Sequence, residues 1–389
     1  MRAMDVTAAL QNLPPVTPRP VKSYAPGDHA ATEAALVQAE QLAGEHRYEE
    51  AIAVLGDVQI PSASAPRLAL HVLFCEAWSR MYLGQLEAAV ATLERARALA
   101  EGPAFTDLDR AEALFRLGCC RVKLSKISNA VALLSAALGL VQEGTHNGDQ
   151  LRSRIFDWRS RCYQLQREWE AAQVDAERSL ELAQSVGDER LIVLAKMQCS
   201  LVAERRGDPL LARYYADGAR TLAAAAGDRQ TEARLLNNLG GLSFLLGDSP
   251  QAVAYLKESF AVALEIGNLA DAAQAVSSLA QVHLRCGAPL LAEEQARHAL
   301  SILEERDDYR DERANAHLVL GRALLMEERT DEAMTEFANA EWLYESIGSI
   351  SHLAAAWTAQ GDVYQRIDDL EAAAALFRRA AESLQDFHF

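Results

Sequence analysis

Phe74, Trp78 and Tyr82 stand four residues apart, and Arg154 and Arg161 stand seven apart. On a helix these spacings place each set on one face. Aromatic rings bury much apolar area at little entropic cost, and guanidinium forks grip carboxylates, so the chemistry of such faces is binding. Chemistry of bond making finds no comparable anchor. The phosphate loops G-x-x-x-x-G-K-S/T and G-x-G-x-x-G are absent, as are H-E-x-x-H and G-x-S-x-G. The nine histidines are scattered, and His283 and His317 fall on or beside a packing face. The run Glu304-Glu305-Arg306-Asp307-Asp308 reads as a solvated loop. No catalytic residue, metal site or cofactor is therefore expected, and the protein is not expected to be an enzyme.

The charge balance narrows the partner. Lys and Arg total 38 against 55 Asp and Glu, a formal charge of −17, which opposes general binding to nucleic acid or to an anionic membrane face. Asp5 and the prolines Pro14, Pro15, Pro18 and Pro20 stand where a signal peptide needs an apolar run, and no segment approaches membrane-spanning length. A cytoplasmic setting follows. Six cysteines, Cys75, Cys119, Cys120, Cys162, Cys199 and Cys286, lie in apolar helical patterns without C-x-x-C spacing and read as reduced packing residues.

The elements that carry these residues repeat. A small residue recurs about every 40 positions at Ala39, Ala77, Gly118, Ser160, Ser200, Gly240, Ala280, Gly321 and Gly361. Twelve residues after each comes alanine: Ala51, Ala89, Ala130, Ala172, Ala212, Ala252, Ala292, Ala333 and Ala373. Seven further on stands a third slot, small in eight cases of nine, from Val58 to Ala380. Between them lies a bulkier slot holding Leu55, Leu93, Leu134, Leu256, Phe337 or Phe377, with Ala176, Ala216 and Ala296 as exceptions. Breakers such as Leu246-Gly247-Asp248-Ser249-Pro250 end one helix and start the next. Small slots let paired helices approach closely, and the large slot is expected to fill the space between neighbouring hairpins.

The arrangement resembles the tetratricopeptide repeat, best in Leu236-x-x-Leu239-Gly240 … Ala252-x-x-x-Leu256-x-x-Ser259 and in Trp357-x-x-x-Gly361-x-x-Tyr364 … Ala373-x-x-x-Phe377-x-x-Ala380. The long period is similar to that of bacterial signal-sensing regulators, kinesin light chains and cell-polarity adaptors. Repeats four and five depart most, with Arg159 and Cys199 where Leu is usual. The resemblance implies an all-α, right-handed superhelical solenoid of about nine hairpins over residues 31–385. A mobile Pro-containing leader would occupy 1–30 and a tail 386–389, with self-association through the C-terminal end open.

A stack of hairpins turns one stripe of each first helix toward its hollow. In repeats two to five that stripe holds Phe74, Trp78, Tyr82, Phe115, Lys123, Arg154, Asp157, Arg161 and Arg205, with Arg116 and Trp158 at its edge. Repeats six to nine contribute Arg234, Asn237, Phe244, Arg285, Arg322 and Arg366, with Asn238 at the edge. Over repeats three to eight, eight basic residues (Arg116, Lys123, Arg154, Arg161, Arg205, Arg234, Arg285, Arg322) face three acidic ones (Glu112, Asp157, Glu204). That count points to an acidic peptide partner. Against it stands a second reading, in which the aromatics fill the core and the arginines pair with groove acids. Asn237-Asn238 resembles the asparagine that clamps peptide main chain in the family. The set that recognises chaperone tails is incomplete, because Met197, Leu201, Gln274 and Ser278 occupy the matching places. The expected function is that of a non-enzymatic adaptor or regulatory receptor for an extended peptide. A single-stranded RNA reader and a self-assembling scaffold are the alternatives.

Overall fold

The computed structural model describes residues 30–45, 47–56, 65–303 and 309–385. The expected leader, the tail and the run Glu304 to Asp308 lie almost wholly outside them, as does Val58. Contacts divide the chain into two units, Met1–Arg206 and Gly207–Phe389. The repeat pattern gives no sign of this division, which passes through the fifth repeat.

Nine helices make up the described part of the first unit: α1 (Ala30–Gly44), α2 (Tyr48–Gly56), α3 (Pro66–Tyr82), α4 (Leu86–Ala100), α5 (Asp107–Lys123), α6 (Ile127–Leu140), α7 (His146–Leu165), α8 (Trp169–Val186) and α9 (Glu189–Arg205). The second holds α10 (Pro209–Ala225), α11 (Arg229–Leu245), α12 (Ser249–Glu265), α13 (Leu269–Arg285), α14 (Pro289–Ile302), α15 (Arg310–Met326), α16 (Thr330–Ser346), α17 (Ile350–Arg366) and α18 (Leu370–Gln385). No strand occurs among the described residues, and each unit is an all-α stack of antiparallel helices as expected of hairpin repeats. Within each unit every helix packs on the next, and odd-numbered helices also touch odd-numbered ones two places on. The first helices of the hairpins thereby share one wall in each unit.

Punctuation is local. Gly187, Gly207, Gly227, Gly247 and Gly267 adopt positive φ, a conformation glycine takes at no steric cost. The residue after each, Asp188, Asp208, Asp228, Asp248 or Asn268, accepts a hydrogen bond from the backbone N–H three residues on and caps the following helix. At four other turns Ser125, Arg167, Glu328 and Asp368 take positive φ without being glycine.

The nine recurring alanines are buried. In two hairpins the helices meet closely at this slot: a Cβ on Gly240 would stand 3.3 Å from the Ala252 carbonyl oxygen, and one on Gly118 would stand 3.6 Å from that of Ala130. The Cβ on Gly240 would also stand 2.6 Å from Leu256 Cγ, and one on Gly321 would stand 2.5 Å from Phe337. The bulky slot thus rests on the glycine of its own hairpin, and it also packs against the next hairpin as expected, Leu256 joining Leu279 and Val282 of α13 and Phe337 joining Leu353 and Trp357 of α17. Volume accounts for the exception in repeat four. Gly118, Gly240, Gly321 and Gly361 lie under Leu134, Leu256, Phe337 and Phe377, whereas Ser160 shares a hairpin with Ala176. Freed from a bulky neighbour, Ser160 Oγ donates to the Ala172 carbonyl at 2.7 Å. Arg159, the departure in repeat four, forms a forked pair with buried Asp175 at 2.6 and 2.9 Å. The register of that repeat is therefore unbroken.

Candidate functional site

The shared wall of the first unit surrounds a cleft of about 160 Å³. Helix α1 contributes Glu40, α3 His71, Phe74, Cys75, Trp78 and Tyr82, α5 Glu112 and Arg116, and α7 Arg154, Asp157, Trp158 and Arg161. The opening turns of α9 add Arg190, Leu191 and Leu194. Local signals fix these helices. Thr106 and Asp109 form a reciprocal capping box at the start of α5, and Asp188 caps α9 while accepting from Gln150 at 3.0 Å.

The arginines are held before any ligand arrives. Buried Glu112 accepts from Arg116 Nε at 2.7 Å and from Arg154 at 3.3 and 3.4 Å. Arg116 also lies 4.9 Å from the ring centroids of both Phe74 and Trp78. Asp157 accepts from Arg161 at 3.0 Å, and Arg161 faces the Trp158 ring at 5.5 Å. Tyr82 stacks on Tyr48 with centroids 4.8 Å apart and meets Trp78 edge-on at 5.7 Å. Guanidinium groups packed on rings and bound to carboxylates are rigid, so the cleft is preorganised.

Burial sets the titration of the site. It pushes the Asp157 carboxyl above the usual range against the pull of Arg161. It raises the Glu40 carboxyl to about 7, with Arg116 opposing. The Cys75 thiol is pushed up to about 12, again by burial first and by the neighbouring Glu40 charge second. A thiol so placed stays protonated and is a poor nucleophile. No group of three or more His, Cys, Asp or Glu residues suited to a metal ion occurs among the described residues. What the arrangement supplies is apolar anchoring and directed polar contacts.

Nine of the sequence-derived residues meet in this cleft: Phe74, Trp78, Tyr82, Glu112, Arg116, Arg154, Asp157, Trp158 and Arg161. Phe115 does not. It is fully buried in the core, with Arg154 lying 4.6 Å over its ring, so it supports the wall from behind. Arg205, at the last position of α9, is not among the lining residues. The excess of positive charge does not appear here either: Glu40, Asp109, Glu112, Asp157 and Asp188 stand against Arg116, Arg154, Arg161 and Arg190. Counting one stripe omitted carboxylates that reach the cleft from α1 and from helix starts.

In the second unit Arg234 of α11 donates to Asp271 of α13 at 2.9 Å. Asn237 is buried with its Oδ1 unpartnered, and Asn238 is half-buried beside it. Arg285 and Arg322 are exposed on α13 and α15. His317, read as a packing histidine, is hydrogen-bonded to Glu336 at 2.6 Å.

Sequence reasoning missed Glu40, His71, Arg190, Leu191 and Leu194. Glu40 follows Ala39 as Trp78 follows Ala77 and Arg161 follows Ser160, so extending the stripe to the first repeat finds it. Arg190 lies ten residues before its small slot, where no periodic signal reaches.

The tetratricopeptide repeat pattern matches residues 354–383, the stretch containing Gly361, Ala373, Phe377 and Ala380. This is a tetratricopeptide-like repeat protein. The Rap protein complexed with Competence and Sporulation Factor shares 17% identity over 92% of this chain and 98% of its own, with a TM-score of 0.61. The apo quorum sensor NprR from B. thuringiensis shares 14% over 91% and 96%, with a TM-score of 0.63. The Rap conjugation gene regulator of the plasmid pLS20, in complex with the Phr* peptide, shares 12% over 98% and 95%, with a TM-score of 0.53. At these identities the likeness is one of fold. No curated protein matches the sequence. Among the described residues no helix is long and apolar enough to cross a membrane.

Proposed function

We propose that the protein is a cytoplasmic, non-enzymatic regulatory receptor that binds a peptide, with the first-unit cleft as its principal anchor. One observation carries this reading: aromatic rings and carboxylate-locked arginines from successive first helices converge on one concavity. Anchors of this kind carry most of the energy in peptide recognition. The likeness to a regulator solved with the Phr* peptide supports the same class of ligand. Because carboxylates and arginines share the cleft, the peptide we propose carries both charges instead of being simply acidic. Within the second unit, Asn237, whose buried side-chain oxygen lacks a donor, is proposed separately as a contact for a peptide N–H.

The test uses peptides extracted from the native cells and passed over the immobilised full-length protein, with bound species identified by mass spectrometry. Specific peptides should be enriched on the wild type and lost on Leu194→Arg, which places a long cation in the cleft. Equal retention by both proteins, or enrichment on neither, would refute the receptor reading.

A further inference from the structure

We propose that the first-unit cleft contains a subsite for a positively charged group, an ammonium or guanidinium, and that Glu40 is the residue that holds it. The proposal deepens the peptide-receptor reading and rests on it.

One carboxylate of the cleft has an unmet valence. Four of the five carboxylates lining the cleft are already engaged. Glu112 holds Arg116 and Arg154, Asp157 holds Arg161, Asp109 caps α5 with Thr106, and Asp188 caps α9. Among the described residues Glu40 alone of these five has neither a hydrogen bond nor an ion pair. It is half-buried on α1, and the cation nearest to it in charge interaction, Arg116, is committed to Glu112 and to the Phe74 and Trp78 rings. Removing a carboxylate from water without a partner is costly, and the cost is relieved either by a proton or by an arriving cation.

The surroundings suit the second outcome. Phe74, Trp78 and Tyr82 wall the same cleft, and aromatic surroundings favour cations. Trp78 is 94% buried, being 6% exposed, and its indole N–H has no acceptor. An α-ammonium is always followed by a carbonyl, which is the acceptor that N–H lacks. A lysine side chain offers the ammonium without a carbonyl beside it. The cleft volume of about 160 Å³ admits one large side chain or one terminal residue.

Three small probes separate these possibilities on the full-length protein by ligand-observed NMR titration. They are phenylalaninamide, which has a free α-ammonium, Nα-acetyl-lysinamide, whose ammonium is on the side chain, and N-acetylphenylalaninamide, which has none. At least one ammonium probe should bind roughly tenfold tighter than the acetylated phenylalanine, the value of one charge-assisted contact. Glu40→Gln should erase that preference while leaving the acetylated probe unchanged. The stronger of the two ammonium probes identifies the source of the cation, and a further loss in Trp78→Phe for phenylalaninamide alone identifies an N-terminal residue. Equal affinities for all three probes, no binding by any, or a preference that survives Glu40→Gln would overturn the subsite. Peptide enrichment that depends on Leu194 but not on Glu40 would sink the subsite and keep the receptor. Glu40-dependent ammonium binding without any peptide enrichment would do the reverse.

Discussion

Gly240 lies directly beneath Leu256, so close that a single added methyl would stand 2.6 Å from Leu256 Cγ. The hairpin of α11 and α12 therefore closes through an absence. Gly240→Ala gains helix propensity but forces an overlap in a fully packed crossing, and a net loss of about 1–2 kcal/mol is expected in urea unfolding. Combining it with Leu256→Ala should cost less than the sum of the two single changes, because the pair becomes the small-with-Ala combination already present at Ser160 and Ala176. Strict additivity would show that the two residues are not the contact that sets the crossing.

The Asp157–Arg161 pair is buried on both sides. Removing the arginine alone, as in Arg161→Met, leaves a carboxylate without its counter-charge and should destabilise the protein by about 3–5 kcal/mol. Adding Asp157→Asn should recover a large part of that loss. Thermal unfolding of the wild type and the two variants checks it, and a single-variant effect near zero would mean that water reaches the pair.

Glu40 makes stability depend on pH in a definite direction. Its folded carboxyl titrates at about 7, above its ordinary value of 4.5. The native state therefore binds the proton more tightly, and the stability contributed by that proton is complete below the ordinary value and lost as pH rises through about 7. Glu40→Gln should match the wild type in Tm near pH 5 and exceed it near pH 8. A Tm difference that stays constant between those values would contradict the buried, unpaired setting.

Arg167 turns the chain at φ 60° where glycine serves at φ 74° in Gly187 and φ 85° in Gly207. A side chain in that region crowds the following carbonyl, and Arg167→Gly should raise stability by about 0.5–1 kcal/mol even after the extra freedom given to the unfolded chain. Gly207→Ala should act oppositely and by a similar amount. Paired urea midpoints measure both.

The sequence alone determined the helices, their pairing and the face each one buries. Those features depend mostly on neighbours within one 40-residue unit: Gly240 gives way to Leu256 sixteen residues on, and Asp248 needs only the N–H of Gln251. Periodicity is a faithful record of such short-range demands, and Arg159 shows that an apparent defect can be a local solution. The site was legible only in part, in Phe74, Trp78, Tyr82, Arg116, Arg154, Trp158 and Arg161 but not in Glu40 or Arg190. What tertiary structure decided was which side chains from separate repeats meet, and in what electrical state. Arg116 and Arg154 lie 38 residues apart and share Glu112, Phe115 on the same stripe turned into the core, and Glu40 came to face a cleft already furnished with paired charges. No spacing rule encodes those outcomes, because they follow from how strongly successive hairpins curl together and from which carboxylate reaches each cation first.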